Sequence, residues 1–105
     1  MPTSAEEVQA APALALPAEL THRQAAAILA GLQQTLAQQT QAVCVLDASA
    51  LAQFDSAALA VLLECRRTLL AQGRTLQVQG LPEALGRMAL LYGVDGLLGL
   101  AVPSR

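Results

Sequence analysis

The apolar residues of this chain change their spacing along its length, and each spacing predicts an element. The continuous run Ala42–Asp47 is too short to be judged a helix by periodicity, and its Val and Leu residues are typical of a strand covered on both faces. Residues 75–79 alternate polar with apolar side chains, which predicts a strand with one less covered face. The run Ala13–Leu16 stops at Pro17 and indicates a brief edge strand.

Three stretches carry apolar residues at the spacing of a helix. The first spans residues 21–39 and opens on Thr21 and Gln24, whose separation fits a capping box. The second spans residues 56–72 and the third spans residues 82–93. A glycine stands at the predicted end of both, as is common at helix C-termini.

The predicted elements alternate in the order strand, helix, strand, helix, strand, helix. This order predicts an α/β fold with right-handed crossovers and a mixed, partly parallel sheet whose helices lie mainly on one face. We expect one domain over residues 11–102, because 105 residues with 54% hydrophobic content suffice for a single core. Residues 1–10 show no pattern and are expected to be mobile, and residues 94–98 predict a turn into a last short apolar segment.

Composition and charge argue against several functions. All six positions that hold Lys or Arg are Arg, which excludes a P-loop lysine, a Schiff-base lysine and a polylysine membrane tether. The formal net charge is −2 and the cations are not clustered, which argues against nucleic-acid binding. Charged residues make up only 13% of the chain, so apolar surface is left for a protein partner.

The two cysteines do not belong to a recognisable metal site. Cys44 lies in a predicted strand and Cys65 in a predicted helix, each among apolar neighbours and far from the single histidine, His22. We expect two reduced core thiols and neither a metal nor a cofactor. No charged segment leads into an apolar core at the N-terminus, and no run reaches about 18 consecutive apolar residues, so we expect a cytoplasmic protein.

Few residues are suited to catalysis. Asp47 and Asp55 stand at the end of a strand and the start of a helix, where carboxylates commonly serve as structural acceptors. His22 has no acidic or cysteine partner nearby in sequence and is interpreted as a surface histidine. No glycine-rich phosphate loop follows the strand at residues 42–47. We therefore expect no enzymatic activity and no direct small-molecule substrate.

The start of the second helix is the main candidate for a functional site. Asp55 and Ser56 stand at the carboxyl edge of the predicted sheet, where partners are usually met, and the Ser56 hydroxyl is interpreted either as a helix cap or as a partner contact. Leu59, Leu63 and Leu70 follow as a flanking apolar stripe. This stripe either packs against the other helices or is covered by a partner.

Three segments of the chain resemble the STAS domain family. They are Val45–Leu51, Phe54–Leu59 and Gln72–Arg74. In that family a strand ending in Asp and a hydrophobic loop lead to an Asp-Ser/Thr turn, which opens the helix that regulates partner binding. The resemblance covers most of the chain and implies a small STAS-like domain. The chain departs from the family pattern at Ala58, where Gly is usual.

Within the family, three further segments look most like the cytoplasmic STAS subunits of phospholipid-trafficking ABC transporters of the Mla type: Leu14–Leu20, Leu76–Leu81 and Leu90–Val94. This resemblance implies a non-catalytic subunit that binds and supports the transporter's ATPase, in a system that maintains outer-membrane lipid asymmetry. The subunit would reach the cytoplasmic face of the inner membrane through that partner. The residues predicted to bind the partner are Asp55, Ser56, Ala57, Leu59, Ala60, Leu63 and Arg67.

A second class of STAS protein, the anti-sigma factor antagonists, is similar around the same turn. These proteins carry a serine at the position of Ser56, and a kinase switches them by phosphorylating it. Their N-terminal portion usually provides a longer strand pair than the few residues before Pro17. This difference favours the transporter subunit.

Overall fold

The structure, a computed structural model, describes residues 13–97. The predicted mobile segment 1–10 and the apolar residues from Leu98 onward lie outside the described residues, and the domain bounds 11–102 stay a prediction. Strands and helices within residues 13–97 follow one another as β1 (Leu14–Ala15), β2 (Glu19–Leu20), α1 (Ala25–Ala37), β3 (Val43–Asp47), β4 (Gln53–Phe54), α2 (Ser56–Ala71), β5 (Thr75–Gln79) and α3 (Glu83–Leu91).

The strands of residues 13–97 pair in parallel and form two sheets. β1, β3 and β5 make a three-stranded sheet in that order, while β2 and β4 pair separately. In the larger sheet Leu46 lies between Leu14 on one side and Val78 on the other. Parallel neighbours need a crossover, which α1 supplies between β1 and β3 and α2 supplies between β3 and β5. The predicted α/β fold is therefore confirmed.

One face of the three-stranded sheet carries the core. Cys44 and Leu46 of β3 are buried on this face together with Leu76 and Val78 of β5. The residues that alternate with these along the strands belong to the opposite face and stay partly in solvent. Val43, one of them, is 47% exposed. The prediction that this Val-rich and Leu-rich strand is covered on both faces is wrong, because the described helices leave the second face of β3 open.

α2 and α3 end where the sequence predicts. Gly73 and Gly93 follow the two helices with φ angles of +75° and +73°, a left-handed conformation that glycine adopts without steric cost. After Gly73, the N–H of Arg74 returns to the carbonyl of Leu69 (2.9 Å), which is the hydrogen bond of a Schellman motif. The chain therefore leaves α2 at a defined angle and enters β5 directly.

α1 begins later than the capping-box spacing predicts. Gln24 Oε1 accepts the N–H of Thr21 (2.8 Å), as one half of a capping box requires. The other half is missing, because the N–H of Gln24 bonds the Thr21 carbonyl (3.0 Å) instead of its hydroxyl. Residues 21–24 are therefore a turn, and the first helical residue is Ala25.

Arg74 is a buried arginine that ties three segments together. Arg74 is 9% exposed, and its guanidinium donates hydrogen bonds to neutral acceptors. Nη1 donates to the carbonyl of Leu36 at the end of α1 (3.0 Å) and to Gln72 Oε1 (2.8 Å), while Nε donates to the carbonyl of Gln41 (2.9 Å). Nη2 contacts Sγ of Cys44 in β3 (2.9 Å). One side chain thus joins α1, the loop before β3 and the strand itself.

Both cysteines are free and buried, as predicted. Burial raises the pKa of the Cys65 thiol to about 11, since the thiolate would lose its hydration. The apolar surroundings predicted for Cys44 are wrong, because its Sγ lies against the Arg74 guanidinium. The two residues are 30 positions apart, so local sequence did not reveal this contact.

Candidate functional site

The first turn of α2 is capped by Asp55. This residue has extended backbone angles (φ −138°, ψ −166°), and its Oδ1 accepts the N–H of Ala57 (2.8 Å), as an N-cap does. Ser56 is already the first helical residue, and it is exposed. The interpretation of the Ser56 hydroxyl as the cap is therefore wrong, and the interpretation as a partner contact stays a prediction.

The second carboxylate oxygen of Asp55 accepts hydrogen bonds from a turn that is distant in sequence. Oδ2 accepts both the backbone N–H of His22 (3.1 Å) and its ring Nδ1 (3.1 Å). These donors lower the pKa of the Asp55 carboxyl, the His22 ring hydrogen bond first, then the backbone N–H of His22 and that of Ala57. The His22 side chain is 76% exposed, so the predicted surface position is confirmed, but its acidic partner lies 33 residues away and was missed.

Two short strands bring His22 and Asp55 together. β2 and β4 pair in parallel with Leu20 opposite Phe54, so the residues that follow each strand emerge side by side. Leu20 is fully buried and anchors this pair to the core. The result is an open groove of about 430 Å³ beside the first turn of α2, lined by Glu19, residues 21–24 and residues 53–55.

One face of α2 presents a mixed surface that we call the α2 stripe, defined by Ser56, Ala60, Leu63 and Arg67. Their spacing of three or four residues places them along one side of the helix. Ser56, Ala60 and Arg67 are exposed and Leu63 is half-buried. Arg67 Nη2 forms an ion pair with Glu64 Oε1 (2.8 Å) at the edge of the stripe.

The predicted partner contacts on α2 divide between surface and core. Asp55, Ala57 and Leu63 are partly buried and lie in or beside the α2 stripe. Leu59 is 2% exposed and belongs to the hydrophobic core, so its side chain is not available at the surface. Each interpretation of the flanking leucines therefore holds for one of them. Leu59 packs in the core, whereas Leu70 is 43% exposed.

Asp47, the second carboxylate considered for catalysis, accepts hydrogen bonds from the loop that follows it. Its Oδ1 accepts the backbone N–H (2.9 Å) and the hydroxyl (2.7 Å) of Ser49. These two hydrogen bonds, the hydroxyl first, lower the pKa of the Asp47 carboxyl. Gly80 lies directly behind this turn, since a Cβ there would come within 2.9 Å of Ser49 Cβ. Asp47 is therefore a structural acceptor, as predicted.

The described part of the chain offers neither a membrane-spanning helix nor a cluster of metal ligands. None of its helices combines the length and the apolar character needed to cross a membrane. Within residues 13–97, no three His, Cys, Asp or Glu side chains are grouped in a way that could hold a metal ion.

Comparison with known proteins gives a family for the chain. A family model described as "Mlab, STAS domain" matches residues 3–99. No curated protein matches the chain significantly. The matched range contains β1 to β5, the three helices and the whole α2 stripe.

Proposed function

This chain belongs to the STAS domain family, and from that premise we propose that it is the non-catalytic subunit that binds and supports the ATPase of a phospholipid-transporting ABC system. STAS domains are generally binding or regulatory domains. In this role the protein supports a transporter that maintains outer-membrane lipid asymmetry. It is held at the cytoplasmic face of the inner membrane through the ATPase.

The α2 stripe is the observation that carries this proposal. It offers two small exposed side chains, Ser56 and Ala60, on the first turns of a helix whose cap is fixed by Asp55. Small residues let the backbone of a partner approach closely. Leu63 then supplies apolar surface that is only half covered by the chain itself. Full burial of a leucine side chain contributes about 1.5–3 kcal/mol, and covering the exposed part of Leu63 would add a fraction of this, which makes Leu63 the expected centre of the contact.

The charged groups at the edge of the stripe suit the rim of an interface. Glu64 and Arg67 are already paired with each other, so neither leaves an isolated charge when a partner approaches. Exposed ion pairs add little affinity but favour one orientation over another. The stripe thus has the arrangement of a protein contact, with an apolar centre and a polar edge.

The proposal is tested by co-expression with the ATPase subunit of a phospholipid-transporting ABC system from the same genome. Leu63→Asp should abolish co-purification, because it places a charge at the centre of the contact. Ala60→Glu should do the same without touching the core, since Ala60 is exposed. Leu91→Asp is the matched control, because Leu91 lies on α3 and is 84% exposed.

All three variants are first checked for native secondary structure by circular dichroism. Full-yield co-purification of folded Leu63→Asp and Ala60→Glu would contradict the proposed surface. Failure of the unaltered protein to co-purify with the ATPase would contradict the proposed function itself.

The exposed hydroxyl of Ser56 favours a second candidate function, that of an anti-sigma factor antagonist. A phosphate at the first residue of α2 would meet the favourable end of the helix dipole. The two functions differ in their partner, since the antagonist binds a kinase-like anti-sigma factor. The neighbouring genes and co-purification with that kinase instead of the ATPase would identify this alternative.

A further inference from the structure

The Asp55 carboxylate is shared between two segments that are distant in sequence. Its Oδ1 holds the first turn of α2 through Ala57, and its Oδ2 holds the turn after β2 through His22. The Asp55 side chain is 40% exposed. If it bonded only one of these segments, its second oxygen would be free to turn toward water. With both oxygens engaged, Asp55 has one orientation, and the two segments are fixed relative to each other.

Within residues 13–97, no other side chain supplies the hydrogen bond that the His22 ring makes to the Asp55 carboxylate. A carboxylate only accepts, so the ring must carry its proton on Nδ1 to bond Oδ2 at 3.1 Å. The backbone N–H of His22 also bonds Oδ2, but it would remain in any non-proline variant. The ring is therefore the part of this contact that substitution can remove. Because the side chain is 76% exposed, its removal leaves no cavity in the core.

From this geometry we infer that His22 is a positioning residue for the α2 stripe. The ring fixes Asp55, Asp55 fixes the first turn of α2, and that turn carries Ser56 and Ala60. The inference rests on the proposed function, since it assigns His22 to the same partner contact. A surface held in its binding conformation loses less entropy when the partner docks. The turn after β2 is thereby part of the binding site through its effect on α2.

The test is a double-mutant cycle on affinity for the purified ATPase subunit, measured by calorimetry. His22→Ala should weaken binding about fivefold in the otherwise unaltered protein, since one charge-assisted hydrogen bond is lost. In the Asp55→Ala background the same substitution should have no further effect, because His22 acts through Asp55. His22→Asn should restore binding, because the asparagine amide carries an N–H donor close to the position of Nδ1.

Three results would overturn the inference. Equal losses in both backgrounds would mean that His22 touches the partner directly. No loss in either background would mean that the ring does not position the surface. Failure of His22→Asn to restore binding would mean that the hydrogen bond is not the active feature.

A measurement on the free protein separates this inference from the proposed function. Amide hydrogen exchange at Ala57 should be faster in His22→Ala and unchanged in His22→Asn, whether or not the ATPase binds. If the unaltered protein has no affinity for the ATPase, the proposed function fails, and this exchange rate alone decides the role of His22. An unchanged rate in His22→Ala would then overturn the inference.

Discussion

The two ends of α2 are tied to distant parts of the chain by opposite means. Beyond its C-terminal end, the buried guanidinium of Arg74 donates to α1, to the following loop and to β3. At its N-terminal end, the carboxylate of Asp55 accepts from His22 and Ala57, and its side chain is 40% exposed. Both contacts join segments more than thirty residues apart, since Arg74 and Leu36 are 38 apart and His22 and Asp55 are 33 apart.

Because the two contacts differ in burial, we expect them to have different roles. A group exposed to water exchanges a lost hydrogen bond for one with solvent, whereas a buried acceptor that loses its donor has no replacement. The Arg74 end should therefore determine how stable the fold is. The Asp55 end should mainly determine the geometry of the α2 stripe, which is the surface that we propose a partner binds.

The largest effect is expected at Arg74. Arg74→Met should lower the free energy of unfolding by about 3 kcal/mol, because the contacts of its guanidinium with Leu36, Gln41, Gln72 and Cys44 are lost together, although the Leu36 carbonyl keeps the N–H of Gln39. Arg66→Met is the matched control, since it removes the same charge from a half-buried position on α2 and should cost under about 0.5 kcal/mol. Urea denaturation of both variants measures the difference. Equal stabilities would refute the contrast between the two ends.

Local patterns in the sequence were sufficient for the elements but not for these contacts. Spacing along the chain predicted the helices and the two longer strands, because periodicity reflects which face of an element is buried. Arg74 and the pair of His22 with Asp55 depend on segments that meet only after folding. Their residue types carry no local signal of this, so the neighbours predicted for Cys44 were wrong and the distant partner of His22 was missed.

The cap of α2 and the burial of Leu59 show the same limit at shorter range. Asp55 and Ser56 are both good N-cap residues, and only the extended backbone of Asp55 decides between them. Leu59 and Leu63 are one helical turn apart, yet one is buried and the other half-buried. Which of them is covered depends on the placement of the other helices, which the pattern along α2 does not contain.

An intermediate effect is expected at the carboxyl edge of the sheet. Gly80→Ala should destabilise the fold by about 1–2 kcal/mol or more, because φ there is +73° and the new Cβ would approach Ser49 Cβ to 2.9 Å. Gly31→Ala in α1 should instead stabilise by about 0.5–1 kcal/mol, since nothing lies within 4 Å of its added Cβ. Thermal melting gives both signs. A Gly80→Ala protein as stable as the unaltered one would contradict the steric conflict expected at this position.

The smallest effect on stability is expected at Asp55 and depends on pH. Because the pKa of Asp55 is lowered in the folded protein, its contribution is present above the ordinary carboxyl pKa of about 4 and is lost as pH falls through the folded-state value. Asp55→Asn keeps a cap acceptor without the charge. The unaltered protein should be slightly more stable than this variant at pH 7. This gap, the difference between their free energies of unfolding, should close on acidification below about pH 4.

Chemical denaturation of the two proteins between pH 7 and pH 2 follows this gap. Both share every other carboxylate, so the difference between them reports Asp55 together with its contact to His22. A gap that stays constant across this range would mean that the Asp55 charge does not contribute.

The central claim, that the α2 stripe binds the ATPase, is tested most directly by NMR cross-saturation on protein with labelled Ala and Leu methyl groups. Irradiation of the bound ATPase should reduce the methyl signals of Ala60 and Leu63, which lie on the stripe, and should leave that of Leu91 on α3 unchanged. The reverse pattern, with loss at Leu91 and none at Ala60 or Leu63, would contradict the claim.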